Sequence, residues 1–273
     1  MITEFNTSLF NRLPEGTRSD LVVHRFGVEL LDGDGFVVVR TPANPIFYFG
    51  NLIFLEQPNQ RSVDDWIALF QNCFSDIPDI NHCTLVWNKR DSSVDWNSNL
   101  KDKGFQLEDI DVRSVTQSQW QKPEMLFPDE LEIRDFNNES DWQQWFDLNL
   151  KNRDPAHTET DYIAFLEGQR FTYQRLINEE QGFHSGIFTE TGQLVAFAGL
   201  YFLNGLGRFQ FVFTCPGHRR MGLCKHLLTF MAQRGFMSAE QLIILADEHD
   251  HATKLYQNLG FRLMDVESSA CRW

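Results

Sequence analysis

Apolar and polar positions alternate along this chain at two spacings, and the spacing changes from segment to segment. Trp66, Leu69, Phe70, Cys73 and Phe74 recur every three or four residues, which predicts a helix with one buried face. Ser62 with Asp65 just ahead of them resembles a capping box. Shorter apolar runs predict strands around 21–31, 36–40 and 84–87, with extended chain again over 105–115. Asp32-Gly33-Asp34-Gly35 joins the first two as a hairpin turn. Gly50 breaks an aromatic-rich stretch and marks a bulge or a close backbone approach. A short helix over about 96–103 ends at Gly104, while residues 1–20 read as a polar lead-in.

Residues 117–129 contain Pro123 and Pro128 and little periodicity, which predicts a linker. Beyond it come a strand at 131–134, a helix capped by Ser140 and a helix over about 161–178. Three strands follow at 183–189, 194–203 and 208–214, joined by turns at Glu190-Thr191-Gly192 and Asn204-Gly205. A helix over 225–234, a buried strand at 242–246, a helix over about 251–259 stopped by Gly260 and a strand at 261–266 complete the pattern. The second half thus reads as mixed α/β, an antiparallel meander followed by a β-α-β crossover. Leu100 to Leu107 echoes Tyr256 to Leu263: each has a helix ending in Gly-Phe before a strand, which predicts two similar halves.

With 273 residues, the chain is long enough for one large or two modest domains. Its 25 Phe and 7 Trp predict an aromatic core. A formal net charge of −14 disfavours nucleic acid as a partner and favours a cationic or amine-bearing substrate. No segment approaches the roughly 18 apolar residues of a membrane span, and no signal peptide is visible. Five cysteines at scattered spacing imply a reduced, cytoplasmic protein.

The candidate chemistry centres on Pro216-Gly217-His218-Arg219-Arg220-Met221-Gly222-Leu223-Cys224. A strand that turns through glycine into a helix offers backbone N–H groups and the positive end of a helix dipole, which suits a phosphate or pyrophosphate. Arg219-Arg220-Met221-Gly222-Leu223-Cys224 resembles the Arg/Gln-x-x-Gly-x-Gly/Ala signature of the GNAT superfamily of N-acetyltransferases, with Cys in place of the last small residue. His249 to Phe261 is similar to that family's Asn-x-x-Ala-x-x-Leu-Tyr-x-x-x-Gly-Phe, with His249 at the Asn position.

The resemblance implies a GNAT-like mixed sheet flanked by helices, in two tandem halves: a degenerate one over 1–120, a linker at 121–130 and a catalytic one over 131–273. It implies acetyl-CoA as cosubstrate, held by Val212, Phe213 and Thr214 along the fourth strand, by residues 219–224 (Arg219, Arg220, Met221, Gly222, Leu223, Cys224) and by His249. Tyr256 matches the tyrosine that protonates the departing thiolate. The acceptor would be the amine of a small molecule or peptide, attacking the thioester directly. A CoA-binding sensor or scaffold is the alternative.

Asp247 is the first choice of general base, ahead of Glu248, His157, His184 or a water chain. His249-Asp250-His251 lacks a third ligand, so no metal is expected. The residue matching Tyr256 in the first half is Leu100, which carries no proton. Phe47-Tyr48-Phe49 is either sheet core or a wall of the acceptor pocket. The oligomeric state is left open.

Overall fold

A computed structural model describes residues 7–124, 126–155, 158–247 and 252–273. Its elements are α1 (Thr7–Arg12), α2 (Glu15–Val23), β1 (Glu29–Gly33), β2 (Phe36–Arg40), β3 (Leu52–Leu55), α3 (Val63–Cys73), β4 (Cys83–Asn88), α4 (Val94–Asp102) and β5 (Gln106–Thr116). Then follow β6 (Leu131–Asp135), α5 (Glu139–Lys151), α6 (Glu159–Asn178), β7 (Gly182–Thr189), β8 (Leu194–Leu203), β9 (Leu206–Thr214), α7 (Leu223–Gly235), β10 (Gln241–Asp247), α8 (Thr253–Asn258) and β11 (Arg262–Arg272). This is a mixed α/β protein.

The chain forms two compact units: Met1–Arg113 with Leu245–Thr253 and Leu263–Trp273, and Ser114–Ile244 with Lys254–Arg262. A single cut at 121–130 does not reproduce them. The reason is β11, which pairs antiparallel with β4 from Glu267↔Asn88 to Arg272↔Cys83. Trp120, inside the segment read as a linker, packs edge-on against Phe236 and Phe261 of the second unit.

In the first unit the strands run β1-β2-β3-β4-β11-β5. β3 and β4 are parallel, joined through α3. The helical spacing read from the sequence places Trp66, Phe70 and Phe74 of α3 in the core beside Trp87, Trp96 and Leu100. Ser62 and Asp65 complete the capping box, each side chain taking the other's backbone N–H. Residues 7–12 and 15–23, read as lead-in and strand, are helical instead. Leu9, Phe10, Leu13, Leu21 and Val22 are buried there, so tertiary packing overrides the strand propensity of the valines. Tyr48 stacks on Trp273 and meets His82 edge-on, and Phe47 lies 4.2 Å from His24. A Cβ at Gly50 would lie 2.4 Å from the Phe47 ring, which accounts for the glycine as a close approach.

In the second unit the order is β10-β9-β8-β7-β6. The meander β6 to β9 is antiparallel, and β10 joins β9 in parallel through α7. Asn204 and Gly205 both take positive φ (49° and 78°), the conformation a two-residue hairpin requires. The cap of α5 is Asn138, not Ser140: its side chain accepts from Asp141 N–H.

The predicted echo between the halves is geometrically specific. Phe105 N–H bonds to Leu100 C=O, and Gly104 N–H to Lys101 C=O. Phe261 N–H bonds to Tyr256 C=O, and Gly260 N–H to Gln257 C=O. Both helices therefore end in a Schellman motif, with a glycine at φ 81° and 97°.

Candidate functional site

The turn between β9 and α7 is built for close backbone approach. After β9 the chain makes a short 3-10 turn, Pro216–His218, then an extended residue, Arg219. Arg220 and Gly222 both adopt left-handed φ, 64° and 77°. Glycine takes that conformation without penalty, but arginine does so at a cost of order 1 kcal/mol or more. Such turns aim successive N–H groups the same way and form anion-binding concavities.

Gly222 stands at the N-cap of α7 and has no side chain with which to cap it. The first turn of α7 carries no acidic residue. The first N–H groups of a helix have no intrahelical acceptor, so this end is suited to an anion. Arg219, Arg220 and Met221 are exposed, Gly222 and Cys224 partly buried, and Leu223 buried in the core. Arg219 Nε donates to Thr214 C=O at 3.2 Å, tying the turn to the end of β9.

Val212, Phe213 and Thr214 are partly buried on β9. The register between β8 and β9 shifts just before them: Gly199 faces Gln210, but Phe197 faces Phe213. β9 thus carries one extra residue, a β-bulge, with Phe211 at φ 50°. Periodicity gives no sign of this bulge. The parallel register of β9 with β10 runs from Leu206↔Gln241 to Arg208↔Ile243 and does not extend to residues 212–214.

Tyr256 is buried on α8, held by the Schellman motif with its ring 5.9 Å from that of Phe261. Asp247 is exposed at the end of β10. Its charge reaches Glu108 on β5, which sequence reading passed over. Desolvation first, then repulsion from Asp247, holds the Glu108 carboxyl above the usual carboxylate range.

His184 is a core residue rather than a base. It is buried against Trp142, Trp145 and Tyr173, its Nδ1 lies 3.0 Å from the Tyr201 hydroxyl, and burial pushes its pKa down to about 3. His157, Glu248, His249, Asp250 and His251 lie outside the described residues. Among the described residues no group of three His, Cys, Asp or Glu side chains is placed to hold a metal. No described helix is long and apolar enough to cross a membrane. All five cysteines are unbridged. A cavity of about 390 Å³ in the first unit, walled by Phe74, Ile80, His82 and Arg272 among others, contains none of the predicted site residues.

These features define a class: a mixed α/β domain with a glycine-led helix start, lacking a side-chain cap, after a bulged strand. More narrowly, residues 140–261 match the model of the acetyltransferase (GNAT) family. The chain is similar in fold to a GCN5-related N-acetyltransferase from Kribbella flavida (14% identity, 93% of each chain, TM-score 0.62). It is likewise similar to a tandem GNAT protein from the clavulanic acid biosynthesis pathway (12% identity, 98% of this chain and 95% of that one, TM-score 0.56). A functionally unknown conserved protein from Staphylococcus epidermidis has the same fold (10% identity, 90% of this chain and 94% of that one, TM-score 0.71). No curated protein sequence matches the chain.

Proposed function

We propose that this protein is an acetyl-CoA-dependent N-acetyltransferase acting on a primary amine, with direct attack in a ternary complex. The observation that carries the reading is the start of α7. It is uncapped, has no acidic residue in its first turn and is preceded by two exposed arginines and two left-handed residues, all inside the family-matched segment. In this reading residues 219–224 hold the pyrophosphate through main-chain N–H groups, Val212 to Thr214 lie along the pantetheine arm, and His249 adds a contact. Acetyl-CoA supplies an activated acetyl thioester. Tyr256 Oη donates a proton to the sulfur as it leaves. Asp247 receives the proton of the amine.

The first unit serves as a degenerate half without a coenzyme site of its own. The acceptor is the amine of a small molecule or peptide, and the protein works in the cytoplasm. A sensor that binds the coenzyme without turnover is the second reading, favoured by Cys224 standing where the family pattern has Gly or Ala.

The test is a pair of measurements on wild type and Tyr256→Phe. Acetyl-CoA should raise the melting temperature of both. Release of thiol in the presence of amines should fall about 10²-fold or more in the variant, the usual contribution of a positioned proton donor. No melting shift in wild type would overturn the reading. A shift without turnover in wild type would leave the sensor.

A further inference from the structure

Three phenylalanines alternate along β9: Phe209, Phe211 and Phe213. In a regular strand they would share one face. They do not. Phe209 pairs with Leu200, and a Cβ on Gly235 of α7 would lie 2.7 Å from Leu200 Cδ2, so Phe209 faces α7. The extra residue of the bulge and the positive φ turn Phe211 to the other face. There its ring lies 5.5 Å from Trp145 of α5, and 6.1 and 6.3 Å from Tyr173 and Phe165 of α6. A strained backbone at an L-residue persists only where the surroundings enforce it, and here it places a ring one residue before Val212.

The cluster has a gradient. Trp145 and Tyr173 are fully buried. Phe211, Phe165 and Tyr162, the last with its ring 5.7 Å from that of Phe165, keep partial access to solvent. The Tyr162 hydroxyl nonetheless feels enough desolvation to be held above its usual pKa. The result is an aromatic shelf, anchored in the core and open at its outer edge, next to the strand segment assigned above to the thioester arm.

We propose that the acceptor is a small primary amine carrying an aromatic ring, and that Phe211, Phe165 and Tyr162 form the surface on which that ring lies. The inference rests on the acetyltransferase reading, because that reading lays the pantetheine arm, which ends in the acetyl thioester, along Val212 to Thr214. The amine must come within about 3–3.5 Å of that carbonyl, so the rest of the acceptor rests on the neighbouring side chains. Aromatic faces reward an apolar ring in offset or edge geometry. They leave the hydroxyls of an amino sugar without partners, which selects against such acceptors. The net charge of −14 draws the protonated amine toward the protein before it is deprotonated for attack.

The experiment compares phenethylamine, n-butylamine and glucosamine as acceptors at saturating acetyl-CoA, by thiol release, in wild type, Phe165→Ala and Phe165→Leu. Phenethylamine should exceed the other two in kcat/KM by about tenfold or more, the discrimination that a few buried methylenes supply. Phe165→Ala should lose about tenfold for phenethylamine, mainly through KM, and several-fold less than that for butylamine; Phe165→Leu should recover part of the loss. The KM for acetyl-CoA should be unchanged in both. Butylamine or glucosamine turned over as well as phenethylamine, or an equal loss for all acceptors in Phe165→Leu, would overturn the proposal. A melting shift with acetyl-CoA but no turnover of phenethylamine would overturn it while leaving coenzyme binding intact. No melting shift at all would remove both.

Discussion

The turn that enters α3 and the turn that enters α7 occupy the same place in a β-α-β crossover, yet one is capped by its own side chains and the other has no side-chain cap. Both follow a strand that pairs in parallel with the strand after the helix. At α3 the capping box engages the Ser62 and Asp65 N–H groups, and Asp64 and Asp65 add negative charge. Arg61, the nearest cation in sequence, lies over the Phe36 and Trp66 rings at 5.5 and 5.1 Å. At α7 a glycine in left-handed geometry replaces the cap, acids are missing from the first turn, and two arginines stand exposed. The strands differ too: β3 pairs with β2 in unbroken register from Leu55 to Leu52, whereas β9 is bulged. The same scaffold therefore carries either a helix start capped by its own side chains or one without a side-chain cap. A handful of side chains decides between them.

A third helix start lies between these extremes. α2 begins after Pro14, which offers no side-chain cap. Glu267 of β11 fills the gap: both its carboxylate oxygens accept from Thr17 N–H at 3.1 Å, and Thr17 Oγ1 donates at 2.9 Å. Burial raises its carboxyl to about 7, with Asp20 adding to the rise and the bonds from Thr17 and Gly16 opposing it.

The comparison can be broken at each of these points. The largest effect is expected at Glu267. Its folded pKa lies above its unfolded value of about 4.5, so its contribution to stability is fully present below that value and is lost as pH rises through about 7. Wild type should therefore lose on the order of 3 kcal/mol relative to Glu267→Gln between pH 5 and 8.5, measured by urea unfolding at each pH. Parallel curves for the two proteins would refute this.

Next comes conversion of α7 toward α3. Lys225→Asp puts a carboxylate in the first turn and should weaken acetyl-CoA binding about tenfold, or about 1.4 kcal/mol, with the loss shrinking in high salt. Calorimetric titration at two ionic strengths checks both parts. The smallest effect is at the closed turn itself. Ser62→Ala should cost about 1 kcal/mol of stability and lower the melting temperature by a few degrees. It should leave the KM for acetyl-CoA unchanged; a change there would make α3 part of the coenzyme site.

Features written in adjacent residues were legible before any coordinates. The capping box at Ser62, the hairpin glycines, the Gly-Phe helix stops at 104 and 260 and the glycine turn into the helix at 222 all depend on short-range chemistry, and each is present. Features that depend on distant partners were not. The alternation of Phe209, Phe211 and Phe213 points to one face, because a bulge arises from the register with β8 and leaves no mark in β9 alone. The valines at 22 and 23 favour a strand until burial beside Leu9 and Leu13 is known. Glu267 looks like an ordinary surface acid until its strand is placed beside α2.

The pairing of β11 with β4 has a consequence for how the molecule is made. A ribosome that has finished the first half of the chain has not yet synthesised the strand that covers β4, so that edge of the nascent sheet stays open. The first unit to be translated is thus among the last to be completed. Fragments cut near residue 120 inherit the same exposed edge and should self-associate.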